Sequence, residues 1–149
     1  MASIAFQGLE EYHAELEKIY TDIPRIVNGA LYDGANDLAN AVHDEISGLT
    51  ELNAVQRLGL HRGLGIAHFW NEKGTMVTKI GFIGYNDLKT KRWPSGQPNA
   101  MIARSLIRGT SWMLANRFTA RAARKARKSC IQTMQNRIDA EIKKITNTY

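Results

Sequence analysis

Glu10, His13 and Glu17 fall at i, i+3 and i+7, on one face of any helix that contains them. This contains the Glu-x-x-His spacing with which helical bundles hold paired metal ions. Such a centre needs further carboxylates and a second motif of the same kind, and the rest of the sequence supplies none at matching spacing. The expectation is a solvated helix face and no metal. His43, Asp44 and Glu45 are consecutive, so a helix aims them in different directions and they cannot form one ligand set; they are expected on the surface. His61 and His68 flank Gly59, Gly63 and Gly65, but no strand clearly precedes them, so a dinucleotide fingerprint is not supported and a flexible lead-in is expected. Cys130 has no neighbouring His and reads as a small apolar residue at the edge of a helix. Neither a Gly-x-Ser-x-Gly elbow nor a phosphate loop ending in Gly-Lys-Ser/Thr occurs. No catalytic, cofactor-binding or metal-binding residue is expected, and the chain does not read as an enzyme.

The strongest charge feature is Arg117, Arg121, Arg124, Lys125, Arg127 and Lys128, six basic residues within twelve positions. On a helix, Arg117, Arg121, Arg124, Lys125 and Lys128 fall along one stripe. Five phosphate contacts there would give a log-log salt slope of roughly −4.5. No aromatic residue alternates with these charges to stack on bases, which favours a solvated face and subunit contacts over nucleic-acid binding. The net charge of +6 hides a gradient. Met1 to Glu51 holds ten acidic and two basic residues, Leu52 to Ala100 two and seven, and Met101 to Tyr149 two and eleven. An acidic end and a basic end can bind a polyanion or attract identical subunits head to tail.

These residues need elements to position them. Leu9, Tyr12, Leu16 and Ile19 recur at spacings of three and four, which predicts a first helix with Glu10, Glu11, Glu15 and Glu17 away from its apolar stripe. Thr21 and Asp22 suit N-caps and Pro24 a first helical turn, so a second helix is expected from there to about Ile46, stopped by Ser47 and Gly48. Gly65 to Trp70 and Thr75 to Phe82, around Asn71-Glu72-Lys73-Gly74, read as a hairpin covered on one side. Gly84 to Asn99 is rich in turn residues and is expected to be a mobile loop, about 85–99, with Trp93 exposed. A short helix over Ala100 to Ile107, closed by Gly109, precedes a last helix from about Arg117 to Ile145. Its apolar stripe is Phe118, Ala122, Ala126, Ile131, Met134, Ile138, Ile142 and Ile145. The expected fold class is α+β: long N-terminal helices, a small antiparallel β-sheet with a hairpin, a short helix and a long C-terminal helix.

The 149 residues suit one domain, with 44% hydrophobic and 23% charged residues, which excludes wholly disordered, collagen-like and disulfide-dense chains. One cysteine forms no internal disulfide, no run of about 18 apolar residues could span a bilayer, and Met1 to Phe6 lacks the features of a secretory signal. A cytoplasm-like setting is expected.

Three stretches carry a resemblance: Lys79-Ile80-Gly81-Phe82-Ile83-Gly84-Tyr85-Asn86, then Gly96-Gln97-Pro98-Asn99-Ala100, then Ile102-Ala103-Arg104-Ser105-Leu106-Ile107-Arg108-Gly109-Thr110-Ser111. In order and spacing they resemble the tail-component proteins of long-tailed bacteriophages, the family founded on gene product ten of the Hong Kong lambdoid phage. There a Gly-Phe-x-Gly-Tyr strand end leads through a loop to a short helix ending in Gly-Thr-Ser. A proline-flanked segment then opens the last helix. Here Arg117-Phe118-Thr119-Ala120-Arg121-Ala122 keeps the Phe and the final Ala of that segment and lacks both prolines, and Ser47-Gly48-Leu49-Thr50 stands near the place of a Thr-Gly-x-Leu. The resemblance covers about Asp22 to Cys130. It implies a virion protein with no enzymatic activity and no cofactor, which forms a ring at the head-proximal end of the tail tube and joins tail to capsid. Its implied partners are further copies of itself, the tail tube protein and the head-completion connector. Trp93, Arg117, Arg121, Arg124, Lys125 and Lys128 are the expected subunit or partner contacts, and the rival reading is a nucleic-acid-binding module built on the basic helix.

Overall fold

The chain, described here over residues 9–147 of a computed structural model, is α+β. Its elements are α1 (Leu9–Ser47), α2 (Ala54–Gly63), β1 (Leu64–Ile66), β2 (Trp70–Glu72), β3 (Thr75–Val77), β4 (Ile80–Phe82), α3 (Asn99–Arg108) and α4 (Phe118–Thr146). At 1.5 Å per residue, α1 is about 58 Å long and α4 about 43 Å. The two lie antiparallel, with side-chain pairs running from Glu45–Arg121 through Asp37–Thr133 and Asp33–Arg137 to Arg25–Glu141.

The expected break between two N-terminal helices does not occur, because Pro24 lies inside α1. A proline within a helix removes one hydrogen bond and crowds the carbonyl four residues back. Pro24 and Tyr20 are both exposed, so the carbonyl of Tyr20 can take water instead. Buried Ile26 and Ala30 then seat the following turns on α4. The cap residues expected at Thr21 and Asp22 have other roles: the Thr21 hydroxyl donates to the carbonyl of Glu17, and Asp22 pairs with Arg25.

α2 is an element that the glycine-rich sequence disguised as a lead-in. Its start is a capping box: the Gln56 amide donates to the Asn53 side chain at 2.9 Å, while the Asn53 amide donates back to the Gln56 side chain at 3.2 Å. Gly59 and Gly63, one turn apart, form a bare face on which Asn86, Asn99 and the carbonyl of Ile83 sit so closely that a Cβ at either glycine would overlap them. Glycine costs a helix about 1 kcal/mol relative to alanine. Here that loss permits the contact which docks α2 on the β4–α3 connection.

The four strands form one interrupted antiparallel hairpin. β2 pairs with β3 as Glu72↔Thr75 around Lys73-Gly74, whose φ values of 51° and 84° are the positive pair that the tightest hairpin turns require. β1 pairs with β4 as Ile66↔Ile80. Between the two ladders, residues 67–69 oppose only 78–79, an extra residue of the bulge type; the Ala67 amide donates to Lys79 at 2.7 Å and the Thr78 hydroxyl donates to Ala67 at 2.8 Å. The hairpin leans on α1 through an edge-on contact of Phe69 with Tyr32 and meets α4 where Phe82 packs on Phe118.

One core collects all these pieces. Val42, Ile46, Leu49 and Leu52 come from the end of α1 and the turn after it, Leu60 from α2, Ile102, Ala103 and Leu106 from α3, and Phe118 and Ala122 from α4. Ile46, Leu60, Leu106, Phe118 and Ala122 have no exposed surface. The C-terminal stripe departs from its expectation at one place. Ile131 is 44% exposed, and Cys130 takes the seam position, its thiol donating to the Gly34 carbonyl at 3.2 Å.

The 85–99 segment, expected as a mobile loop, carries hydrogen bonds at both of its ends and across one internal turn. The Asn86 amide donates to Gln97 at 2.9 Å, the Asn86 carboxamide oxygen accepts from the amides of Leu88 and Gln97, and Tyr85 bridges Pro98. Thr90 and Trp93 close a turn by exchanging backbone hydrogen bonds. Trp93 itself is half-buried, with the Arg92 guanidinium 5.8 Å from its ring, rather than exposed. A substitution pair reads out the bare face of α2. Gly63→Ala should destabilise by about 1–3 kcal/mol, because the obstructing Ile83 carbonyl is backbone and cannot move aside cheaply. Gly65→Ala, with nothing within 4 Å of the added carbon, should change stability far less in the same urea titration.

Candidate assembly surfaces

The basic stripe is divided by the fold. Arg121 donates to Glu45 at 2.9 Å and Lys125 pairs with the other oxygen of the same carboxylate, whose side chain is only 9% exposed. The lysine first, and then the arginine, hold the Glu45 carboxyl below its ordinary range. These two cations stitch α4 to the C-terminal end of α1. Arg124, Arg127 and Lys128 are exposed and make no ion pair among the described residues, and Arg117 occupies the position before α4 without a side-chain capping bond, also exposed. Helical geometry explains the split: Phe118, Ala122 and Ala126 mark the buried face, and Arg117, Arg124 and Lys128 lie on the side opposite.

The same seam absorbs much of the acidic N-terminal half. Asp37 accepts from Ser129 at 3.0 Å and from Thr133 at 2.6 Å, and Asp33 pairs with Arg137. Buried Glu141 meets Arg25, Arg137 and Lys144, and hydrogen bonds from Lys144 and Arg25 pull its carboxyl down in pKa. The charge gradient, which as a sequence suggested attraction between separate subunits, is thus met in part inside one chain, where Asp33 and Glu45 pair with Arg137, Arg121 and Lys125.

Two places among the described residues group large apolar side chains in solvent. The pairing register sets the end of α4, Thr146, opposite about Tyr20, so among the described residues α1 from Leu9 to about Leu16 extends beyond its partner helix. Leu9, Tyr12, Leu16 and Tyr20 are 61%, 62%, 47% and 78% exposed there. Glu10, His13 and Glu17 stand on this projecting tip and are exposed; among the described residues no three His, Cys, Asp or Glu side chains are grouped to hold a metal ion. The second place is the turn between α3 and α4. Gly109, at φ 78°, reverses the chain, and reciprocal Thr110–Met113 backbone hydrogen bonds close the turn. The Asn116 amide donates to Leu106 at 2.7 Å, and its carboxamide donates to Glu51 at 2.6 Å. This fixed turn holds Trp112 and Leu114 in solvent at 92% and 91% exposure. Two large apolar residues close together in the sequence between Gly109 and the last helix were the available signal, and sequence reasoning singled out Trp93 instead.

The fold also joins two histidines read separately as surface and lead-in residues. His43 of α1 and His61 of α2 stack with ring centroids 5.2 Å apart and Nδ1 atoms 2.9 Å apart. One ring must donate and the other accept, so the pair holds together only while at least one ring is neutral. Cys130, half-buried, is pushed up in pKa by burial and by Asp37, which keeps it a thiol. No helix among the described residues is long and apolar enough to cross a membrane. Set against known proteins, the chain matches no family model, no curated protein and no solved structure.

The histidine pair has a measurable consequence. Burial first, and the His43 charge second, lower the pKa of His61 in the folded chain. The unfolded chain therefore binds the proton more readily. The stability of the pair is complete above the free-histidine value of about 6.5 and declines as pH falls through it toward the lowered folded value. Urea midpoints taken between about pH 7.5 and 5.5 should fall with pH in the native chain and stay flatter in His61→Gln.

Proposed function

We infer that the chain is a structural subunit of a long-tailed bacteriophage, which forms a ring at the head-proximal end of the tail tube and joins the tail to the capsid. The observation that carries this reading is the turn bearing Trp112 and Leu114. Apolar residues of this size, held almost wholly in water on a hydrogen-bonded turn, suit a surface that is covered when a subunit meets its neighbours. The turn follows directly on Gly109-Thr110-Ser111, the end of the third stretch that resembles the tail-component proteins. Ile83 and Tyr85, in the first of those stretches, are also exposed, at 72% and 66%. The α+β order of a hairpin, a braced loop, a short helix and a long last helix accords with the same resemblance.

On this reading the protein performs no chemistry; its task is to bury the turn against another protein of the tail or the head connector. The double substitution Trp112→Ser, Leu114→Ser changes exposed side chains only, so it should shift stability by no more than about 0.5 kcal/mol each. Introduced into the phage or prophage that encodes the chain, it should leave DNA-filled heads and separate tails in lysates viewed by electron microscopy. Normal numbers of joined virions would count against the role.

A second reading, nucleic-acid binding by α4, is favoured by the exposed cations Arg117, Arg124 and Lys128 on its outer face. With Arg121 and Lys125 engaged by Glu45, three stripe residues remain for phosphates. The log-log salt slope for duplex DNA would then be roughly −2.7 rather than the −4.5 of the whole stripe. A filter-binding series over salt measures it, and no detectable duplex binding at low salt removes this reading.

A further inference from the structure

We propose that the projecting tip of α1 in one copy of this chain docks on the outer face of α4 in a second copy, giving a head-to-tail contact. This rests on the assembly role above only in taking a second copy as occupant, and the contact itself is readable in the isolated protein.

The tip continues the stripe that α1 uses along its own seam. Leu9, Tyr12, Leu16, Ile19 and Ile23 lead at spacings of three and four into buried Ile26 and Ala30, and among the described residues α4 ends before it can cover the first of them. Among the described residues the tip is thus a half-seam without a second helix. Its charge selects the occupant. Glu10, Glu11, Glu15 and Glu17 surround the apolar stripe, with Lys18 as the one nearby strong cation, so pairing two tips would bring eight carboxylates together. The outer face of α4 is the complementary surface: Arg124, Arg127 and Lys128 are exposed, and Ile131 is a 44% exposed apolar residue in the next turn. These cations are among those left over after Arg121 and Lys125 have met Glu45.

A contact between two different patches is heterologous, and copies joined this way close into a ring or extend as a filament. An eight-residue tip covers much less than the roughly 800 Å² per partner of a standard interface. One contact is therefore weak, and the assembly becomes stable when several copies hold one another in place.

Carbodiimide, which joins carboxylates to lysines in direct contact, tests the geometry. Lys128 lies beside Ser129, which bonds Asp37, and Glu17 is twenty residues, about 30 Å, along α1 from Asp37. A link from Lys128 to Glu10, Glu11, Glu15 or Glu17 must therefore join two chains. Mass spectrometry of mixed light and heavy isotope-labelled protein should find such links between differently labelled copies. Their absence at high protein concentration overturns the proposal.

Charge reversal supplies a second readout. One variant carries Glu10→Lys, Glu11→Lys, Glu15→Lys and Glu17→Lys; the other carries Arg124→Glu, Arg127→Glu and Lys128→Glu. Each alone should associate about tenfold or more weakly than the native chain in sedimentation velocity, with native helix content by circular dichroism. The equimolar mixture should recover association, since each tip then meets an opposite face. If the α4 variant alone self-associates like the native chain, the face is not the acceptor and the proposal fails. Native links and a restored mixture alongside normally joined virions in the Trp112, Leu114 experiment would keep this contact while removing the tail-joining role.

Discussion

The antiparallel seam between α1 and α4 is the constraint on which the rest of this structure depends. Small residues bring the two helices close. Gly34 lies against Met134 and Cys130 so tightly that a Cβ would press on the methionine side chain, and Ala30, Ala122 and Ala126 are almost fully buried. Ion pairs and hydroxyl-to-carboxylate bonds then flank the apolar line. The buried apolar line supplies adhesion, and the charges fix which turn of α4 faces which turn of α1. The globular end, with α2, the hairpin and α3, gathers around the place where the seam meets Ile46, Leu49 and Phe118.

Seen from the amino-acid sequence, the elements with strong periodicity were open to reading and the register between them was not. Spacings of three and four revealed the material of α1 and α4, and the turn residues revealed the hairpin and α3. Pro24 misled because local preference argues for a helix start, whereas burial on both its C-terminal turns and the seam outweighs one lost hydrogen bond. α2 was hidden by the two glycines that a helix ordinarily avoids. Their reason lies in Asn86 and Asn99, distant in sequence and brought onto that face by the fold.

The candidate surfaces followed the same division. The basic stripe was visible as a pattern, but its split into cations that meet Glu45 and cations that face water depends on the rotation of α4 about its axis. The buried stripe Phe118, Ala122 and Ala126 sets that rotation. The stacking of His43 on His61 depends on α2 returning along α1, which no spacing within either segment encodes. The projection of α1 past α4 is a matter of relative length and register, quantities that belong to the pair of helices and to neither sequence alone.

The seam also joins residues that are synthesised far apart in time. Its bonds link positions separated by 76 to 116 residues, from Glu45–Arg121 to Arg25–Glu141. A chain leaving the ribosome thus exposes the apolar stripe of α1 throughout translation of the hairpin and α3. It gains the partner for that stripe only when α4 emerges. Closing so long a loop costs entropy before any contact offsets it. The glutamates of α1 carry the same sign on every copy and so oppose contact between two exposed stripes in that interval.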